Sequence, residues 1–371
     1  MLYVWVGFVF LIGAAVGSFL NVCVARLPFE KSILWPGSRC GRCLQPIRAR
    51  DNLPLLGYWL LRGRCRSCGQ TFSVSYFFVE LFTACAFAGL FYLEIVVNVL
   101  DLPFLRERAA DIEWGLLPWQ AWAVFGFHAV LLGFLITVSL CDFQYMEVPL
   151  SVTVCGTIVG LIGATLFAWP FPAGAGPLLP PRGRMALLAP TPPVPGLYPW
   201  PVWPPEQLPS WLPPGSWQLG LATGLAGTLA GMVTLRGVRF LFGLGRGKEG
   251  LGIGDADVMM MAGSFLGWQP TLVSFFVGVF AALFVGIAQL LRKGDQTLAF
   301  APALAVGVMT TLLTWPMISR NPSFVTLFSE AWILGGLVAV GAVFLLVASF
   351  LLRLIRGPEP VEAVGGPEKK A

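Results

Sequence analysis

The apolar runs constrain this chain before any motif does. Mostly apolar windows of roughly 20 residues, the length that spans a hydrocarbon core, recur at about 2–24, 75–99, 119–141, 148–169, 217–243, 271–291, 297–315 and 330–352, with a shorter run at about 255–268. A soluble core has no need of a composition that is 56% hydrophobic and only 12% charged, with 14 Trp and 29 Phe. The expected fold is an all-α polytopic membrane protein of eight or nine transmembrane helices. The first run lacks a basic start and a clear small-residue cleavage site before Arg26, so it is expected to stay as a helix rather than leave as a secretory signal.

Lys and Arg stay on the cytoplasmic side of short loops. Arg26, Lys31, Arg39, Arg42, Arg48, Arg50, Arg62, Arg64 and Arg66 are opposed only by Glu30 and Asp51, so this segment is expected in the cytoplasm and the N-terminus outside. Alternation then places 101–118 outside, where Arg106 and Arg108 meet Asp101, Glu107, Asp111 and Glu113. Arg292, Lys293, Arg353 and Arg356 fall inside when nine spans are counted.

The same alternation carries two aspartates, Asp142 and Asp255, to the cytoplasmic ends of their helices, each where an apolar run meets a polar loop. Charge at that depth costs several kcal/mol unless it is paired, neutralised or wetted, and so marks a functional candidate. Asp255 closes Gly250-Leu251-Gly252-Ile253-Gly254, whose glycines permit close approach of another chain, such as an extended substrate. The plainer role for the same string is a helix breaker with Asp255 as N-cap. Two carboxylates within about 3–4 Å of each other share one proton and titrate as a unit. Such a pair can hydrolyse a peptide, one partner acting as general base on water and the other as general acid. The single histidine, His128, lies within the third span and away from the cytoplasmic loops, where a packed or hydrogen-bonded core role is expected.

Four of the eight cysteines form two C-x-x-C pairs, Cys40/Cys43 and Cys65/Cys68, separated by 21 residues. Four thiolates from two tight knuckles suit a closed, structural Zn²⁺ site. A loop of roughly 50 residues needs such a staple to fold. A redox dithiol pair is the alternative, less suited to a reducing compartment. Cys23, Cys85, Cys141 and Cys155 read as small buried hydrophobes. No internal repeat is read.

Residues 170–214 hold sixteen of the thirty prolines together with Trp200, Trp203 and Trp211, and are expected to be an extended insertion on the outer face. The organisation expected is therefore a first helix (1–25), a small cytoplasmic four-cysteine zinc-binding domain (26–74), helices carrying Asp142 (75–169), a periplasmic Pro/Trp-rich insertion (170–216), helices with the glycine motif (217–352) and a disordered cytoplasmic tail (353–371). Two other function classes stay open on these residues. One is a transporter or proton channel using the aspartates, and the other is a zinc-bearing assembly scaffold without catalysis.

Several strings together resemble the type IV prepilin peptidases, membrane-embedded aspartyl proteases with a Gly-x-Gly-Asp motif. Gly17-Ser18-Phe19-Leu20-Asn21-Val22 with Arg26-Leu27-Pro28 is similar to the family's opening signature. The C-x-x-C pairs bracket Asp51-Asn52-Leu53-Pro54-Leu55-Leu56, and Tyr76 and Glu80 follow. Asp142 with Pro149, and Glu249 through Asp255 continuing to Gly263-Ser264-Phe265-Leu266-Gly267-Trp268, resemble the two catalytic segments.

The resemblance implies an enzyme of the bacterial cytoplasmic membrane that cuts the basic leader from prepilins or pseudopilins. Many members with the four cysteines also methylate the new N-terminal amine using S-adenosylmethionine. Asp142 and Asp255 are then the catalytic pair, while Gly252, Gly254, Glu147 and Glu249 are candidates for holding substrate, with Asp257 adding negative charge nearby. Partners are the bilayer and prepilin-like substrates, and no nucleic acid is expected. The chain departs from the family at Leu150, often Asp, at Asp257, usually Lys, and at Phe300-Ala301-Pro302, usually Phe-Gly-Pro. Asp257 is expected to point away from Asp255 along the helix and yet to influence how the pair titrates.

Overall fold

In the computed structural model the described residues are 2–107, 112, 114–166, 210–213, 216–247, 252–293, 299–319 and 321–356. They form twelve helices: α1 (Leu2–Arg26), α2 (Leu56–Leu60), α3 (Ser75–Phe91, continued by a π-helical turn Tyr92–Val96), α4 (Pro103–Glu107), α5 (Trp119–Tyr145), α6 (Leu150–Leu166), α7 (Trp217–Arg246), α8 (Ile253–Leu266), α9 (Trp268–Lys293), α10 (Ala301–Ser319), α11 (Pro322–Ser329) and α12 (Ala331–Arg356). The protein is an all-helical, multi-pass membrane protein. Among the described residues seven helices, α1, α3, α5, α7, α9, α10 and α12, are long and apolar enough to cross a membrane. The 17-residue α6 and the 14-residue α8 stand in the remaining two expected positions. The proline-rich segment lies outside the described residues except for 210–213 and 216, and so does the tail beyond Arg356. The last helix runs four residues past the expected boundary at 352.

Contacts at the helix ends give the relative directions. At one end Trp5 of α1 meets Trp122 of α5 edge-on at 5.1 Å, and its indole N–H donates to the Gly115 carbonyl at 2.9 Å. At the other end Phe29, just past α1, meets Tyr145, the last residue of α5, at 5.2 Å. Helices α1 and α5 are therefore parallel, with α3 returning between their faces. The four-cysteine segment and the C-terminal end of α5 lie at the same face of the bundle.

A second group, α6 to α8, is organised around the short helix α8, of which nearly every residue from Asp255 to Leu266 is buried. Helix α8 packs most extensively on α7, then on α6, and also touches α5, α9 and α10. The closest approach is between Gly227 and Gly263, where a Cβ on either glycine would run into the other's carbonyl oxygen. Small residues at a helix interface let backbones come this close, and in a membrane that packing is a main source of helix association.

Within the first group, the Nδ1 of His128 on α5 lies 2.6 Å from the Glu94 carboxylate in the π-helical turn, with both side chains buried. His128 is thus a hydrogen-bonded core residue, as its position within an apolar span suggests. Removing one partner of a buried pair strands the other, which costs roughly 3–5 kcal/mol, whereas replacing both with apolar residues is often near neutral. His128→Leu is expected to lower unfolding stability in detergent markedly. Adding Glu94→Leu should recover most of the loss, and equal stability of all three proteins would contradict the pair's role.

Candidate active site and metal centre

Helix α5 ends in a left-handed residue, Met146 (φ 55°), whose N–H returns to the Asp142 carbonyl at 2.8 Å. Asp142 therefore sits in the last turn of α5, at 7% exposure. Its Oδ2 accepts the N–H of Ala301 at 2.9 Å, and the Phe300 N–H also points to this carboxylate. Ala301 is the first residue of α10, so the carboxylate caps the positive end of another helix. This contact joins residues 159 positions apart.

Asp255 is in the first turn of α8 and only 8% exposed. The N-cap is Gly252, and Asp255 stands three residues on, its carboxylate reaching back to the Gly252 N–H. The side chain thus makes the back-reaching half of a capping box, a role usually taken by Glu at this position, while the glycine N-cap has no side chain to supply the other half. The expectation of Asp255 as N-cap is corrected by three residues. Gly254 lies against Val148, the second residue before α6, and a Cβ there would stand 2.7 Å from the Val148 Cβ. That contact brings the α5–α6 connection onto the start of α8. Val148 follows Asp142 by six residues and Gly254 precedes Asp255 by one, so this contact sets the two predicted aspartates at the same end of the bundle.

The other predicted residues divide. Glu147 is exposed in the α5–α6 connection, beside this site but without a described ion pair. Glu249 lies outside the described residues. Gly252 is exposed beside the Asp255 carboxylate, whereas Gly254 is packed against Val148. Asp257 is turned to α7, where Arg236 Nη2 lies 3.4 Å from its Oδ1, so its charge is met by a cation rather than aimed at the pair. Phe300 and Ala301, noticed in the sequence only as a departure from a motif, supply the backbone donors to Asp142. Pro302 immediately after them, which has no N–H, was the available signal that a helix begins there.

At the same face the four predicted cysteines converge, their sulfurs all within 4.8 Å of one another. Cys40 and Cys68 Sγ are 3.8 Å apart, and Cys43 and Cys65 Sγ are 4.0 Å apart. A tetrahedral Zn²⁺ with bonds of about 2.3 Å separates its sulfurs by about 3.8 Å, so these residues fit that ion.

The two knuckles are built alike, which corrects the reading that no internal repeat exists. Arg39-Cys-x-x-Cys-x-Gln45 and Arg64-Cys-x-x-Cys-x-Gln70 each close a small hairpin: Cys40 N–H bonds to the Gln45 carbonyl and Cys65 N–H to the Gln70 carbonyl, at 3.0 and 2.7 Å. The residue after each second cysteine, Leu44 or Gly69, has positive φ. Backbone N–H groups of Cys43 and Arg42 hold the Cys40 thiol down to about 6, and those of Cys68 and Ser67 lower Cys65 in the same way. Such N–H donors favour the thiolate a metal needs.

Asp51 braces the second knuckle through a two-pronged pair with Arg66, at 2.9 and 2.6 Å. Hydrogen bonding to Arg66 keeps the Asp51 carboxyl below its ordinary range. That support is present above the ordinary carboxylate pKa and is lost as pH falls through the lowered value.

Two segments of the chain match models of known protein families. A model of the bacterial peptidase A24 N-terminal domain matches residues 11–93, and a model of the type IV leader peptidase family matches residues 210–287. In these two segments the chain is similar to the type IV leader peptidase family. The prepilin leader peptidase/N-methyltransferase of Klebsiella pneumoniae is 29% identical over 275 residues, covering 72% of this chain and 87% of the relative. That of Pectobacterium carotovorum is 28% identical over 329 residues, covering 82% and 91%. The like-named Myxococcus xanthus protein is 28% identical over 287 residues, 77% of this chain, which spans 64% of that relative's length. No solved structure matches the chain. Asp142 and Phe300-Ala301-Pro302 fall outside both matched family segments and are tied to the site by geometry.

If the four thiolates hold zinc, elemental analysis of the purified protein should find about one zinc per chain, the stoichiometry of a closed four-sulfur site. Cys43→Ser and Cys65→Ser should each lose most of it, and an unchanged content in both would contradict the assignment.

Proposed function

We propose that the chain is an intramembrane aspartyl endopeptidase that removes the basic leader from prepilins or pseudopilins, with its active site at the cytoplasmic face of the bacterial inner membrane. The observation that carries this reading is the convergence of Asp142 and Asp255 from helices far apart in sequence, each tied to backbone donors and enclosed at one end of the bundle. The wealth of arginine on the neighbouring four-cysteine segment supports the cytoplasmic orientation.

In this reading the pair holds one proton. The ionised aspartate takes a proton from water as its oxygen bonds to the scissile carbonyl carbon, and the protonated aspartate gives its proton to the carbonyl oxygen. The tetrahedral adduct then breaks its C–N bond. The proton gained from water passes to the departing amine, the adduct's hydroxyl returns its own to the other carboxylate, and the pair again holds one. Backbone donors at Phe300, Ala301 and Gly252 keep the two carboxylates in place between turnovers. Exposed Gly252 gives an extended substrate access to the start of α8, Gly254 lets that start pack against Val148, and Glu147 and Glu249 supply negative charge for a basic leader.

Zinc at Cys40, Cys43, Cys65 and Cys68 is structural in this scheme, since four sulfurs leave no open coordination position. Methylation of the new amine with S-adenosylmethionine is proposed from the relatives' names and the presence of the four cysteines.

Co-expression with a prepilin and mass spectrometry of the pilin N-terminus tests the reading. Asp142→Asn and Asp255→Asn are each expected to abolish leader cleavage while the protein still inserts and keeps its zinc. Full cleavage by both variants would overturn it. A mature N-terminus lacking the added methyl group would remove the methylation proposal alone.

A further inference from the structure

The four-cysteine segment carries apolar side chains that neither the metal centre nor the aspartate site uses. The five-residue helix α2, between the two knuckles, exposes Leu56, Trp59 and Leu60, with Trp59 66% and Leu60 64% exposed. In a water-surrounded loop this would be a costly surface.

The position of α2 explains it. The Leu55 N–H donates to Glu80 Oε2 at 2.7 Å. Glu80 is the sixth residue of α3, about 7 Å along the axis from its first residue at 1.5 Å per residue, so the start of α2 is drawn to the second turn of a membrane-crossing helix. Trp59 meets the ring of Phe77 edge-on at 5.7 Å, and Phe77 meets Phe78 on the same turn at 5.7 Å. The exposed face of α2 therefore continues the lipid-facing aromatic surface at the mouth of α3.

Both ends of α2 are bent by non-glycine residues with positive φ, Leu55 at 62° and Arg62 at 50°. Such conformations cost energy and persist where surrounding contacts enforce them. Here the Glu80 hydrogen bond and the Gly63 N–H to Tyr58 carbonyl bond, at 2.9 Å, do so.

The charge beside this face is of one sign. Arg62 and Arg64 leave α2 toward the second knuckle, both exposed, and among the described residues neither has an acidic partner. Asp51, the nearest acidic residue of the loop in sequence, is already taken by Arg66. Aromatic and leucine side chains at the depth of a helix mouth, flanked by unpaired arginines, match a leaflet with anionic headgroups: rings and leucines enter the acyl boundary while guanidinium groups meet phosphate. The same charge disfavours a basic peptide as occupant.

We propose that α2, through Leu56, Trp59 and Leu60, dips into the leaflet where α1 ends and α3 begins, with Arg62 and Arg64 on the phosphates of anionic phospholipids. The docked element fixes the four-cysteine segment against the membrane on the face that carries the aspartates.

The full-length protein with p-benzoylphenylalanine in place of Leu60, reconstituted in phosphatidylcholine vesicles with increasing phosphatidylglycerol, tests this. A second version carries the probe at Leu56, so that one badly folded variant does not decide the result. Irradiation followed by mass spectrometry reads what the probe captured, and a probe at Phe82, exposed on α3, sets the yield for a lipid-facing position. Lipid adducts at 56 and 60 that rise severalfold with phosphatidylglycerol, and lose that rise in Arg62→Gln/Arg64→Gln, are expected. Capture of a second protein chain, no capture while the Phe82 probe labels lipid, or lipid capture indifferent to phosphatidylglycerol would each overturn the proposal.

Discussion

The arrangement depends on one short buried helix. Helix α8 is 14 residues long, too short to cross a hydrocarbon core of about 30 Å at 1.5 Å per residue. It can therefore start within the bundle, at the level where α5 ends. What holds it there is backbone packing: Gly227 on α7 against Gly263, and Gly254 against Val148 of the α5–α6 connection. The first contact seats the helix and the second docks its N-terminus beside the aspartate of α5. Without both approaches Asp255 would have no fixed relation to Asp142.

The carboxylates are then oriented by main-chain donors at helix starts. Asp142 faces the first N–H groups of α10 and Asp255 the N-cap N–H of α8. Donors of this kind belong to the backbone, so substitution at Ala301 or Phe300 preserves them while a shift of α10 would not. The sequence change from the family's glycine to Ala301 is accommodated for that reason. Asp257, the other unusual residue, is answered locally by Arg236 on α7. A charge that looks in the sequence like a third member of the acidic site belongs instead to the α7–α8 contact.

Much of this was legible in the chain because bilayer length and apolarity leave few choices. The span limits expected for α1, α5, α7 and α12 fall within a few residues of the helices, and the basic loop was enough to assign Asp142 and Asp255 to one face. The four cysteines were legible through spacing alone. Three features were not. The duplicated knuckle shows in the sequence only as seven residues, Arg-Cys-x-x-Cys-x-Gln at 39–45 and 64–70, too short to be read as a repeat until the matching hairpin hydrogen bonds of Gln45 and Gln70 join it. The role of Phe300-Ala301-Pro302 depends on a contact across 159 residues, which no local pattern encodes. The location of α2 rests on Glu80, a carboxylate inside an apolar span whose partner is a main-chain N–H rather than another charged residue.

The central claim is that Asp142 and Asp255 meet. Cysteine replacement at both positions, in a background that keeps the four clustered cysteines but lacks Cys23, Cys85, Cys141 and Cys155, tests it through short bifunctional thiol reagents. An intramolecular link between positions 142 and 255 in membranes is the predicted result, with no link in either single variant. Efficient single-site alkylation at both positions but no link with any short reagent would contradict the account.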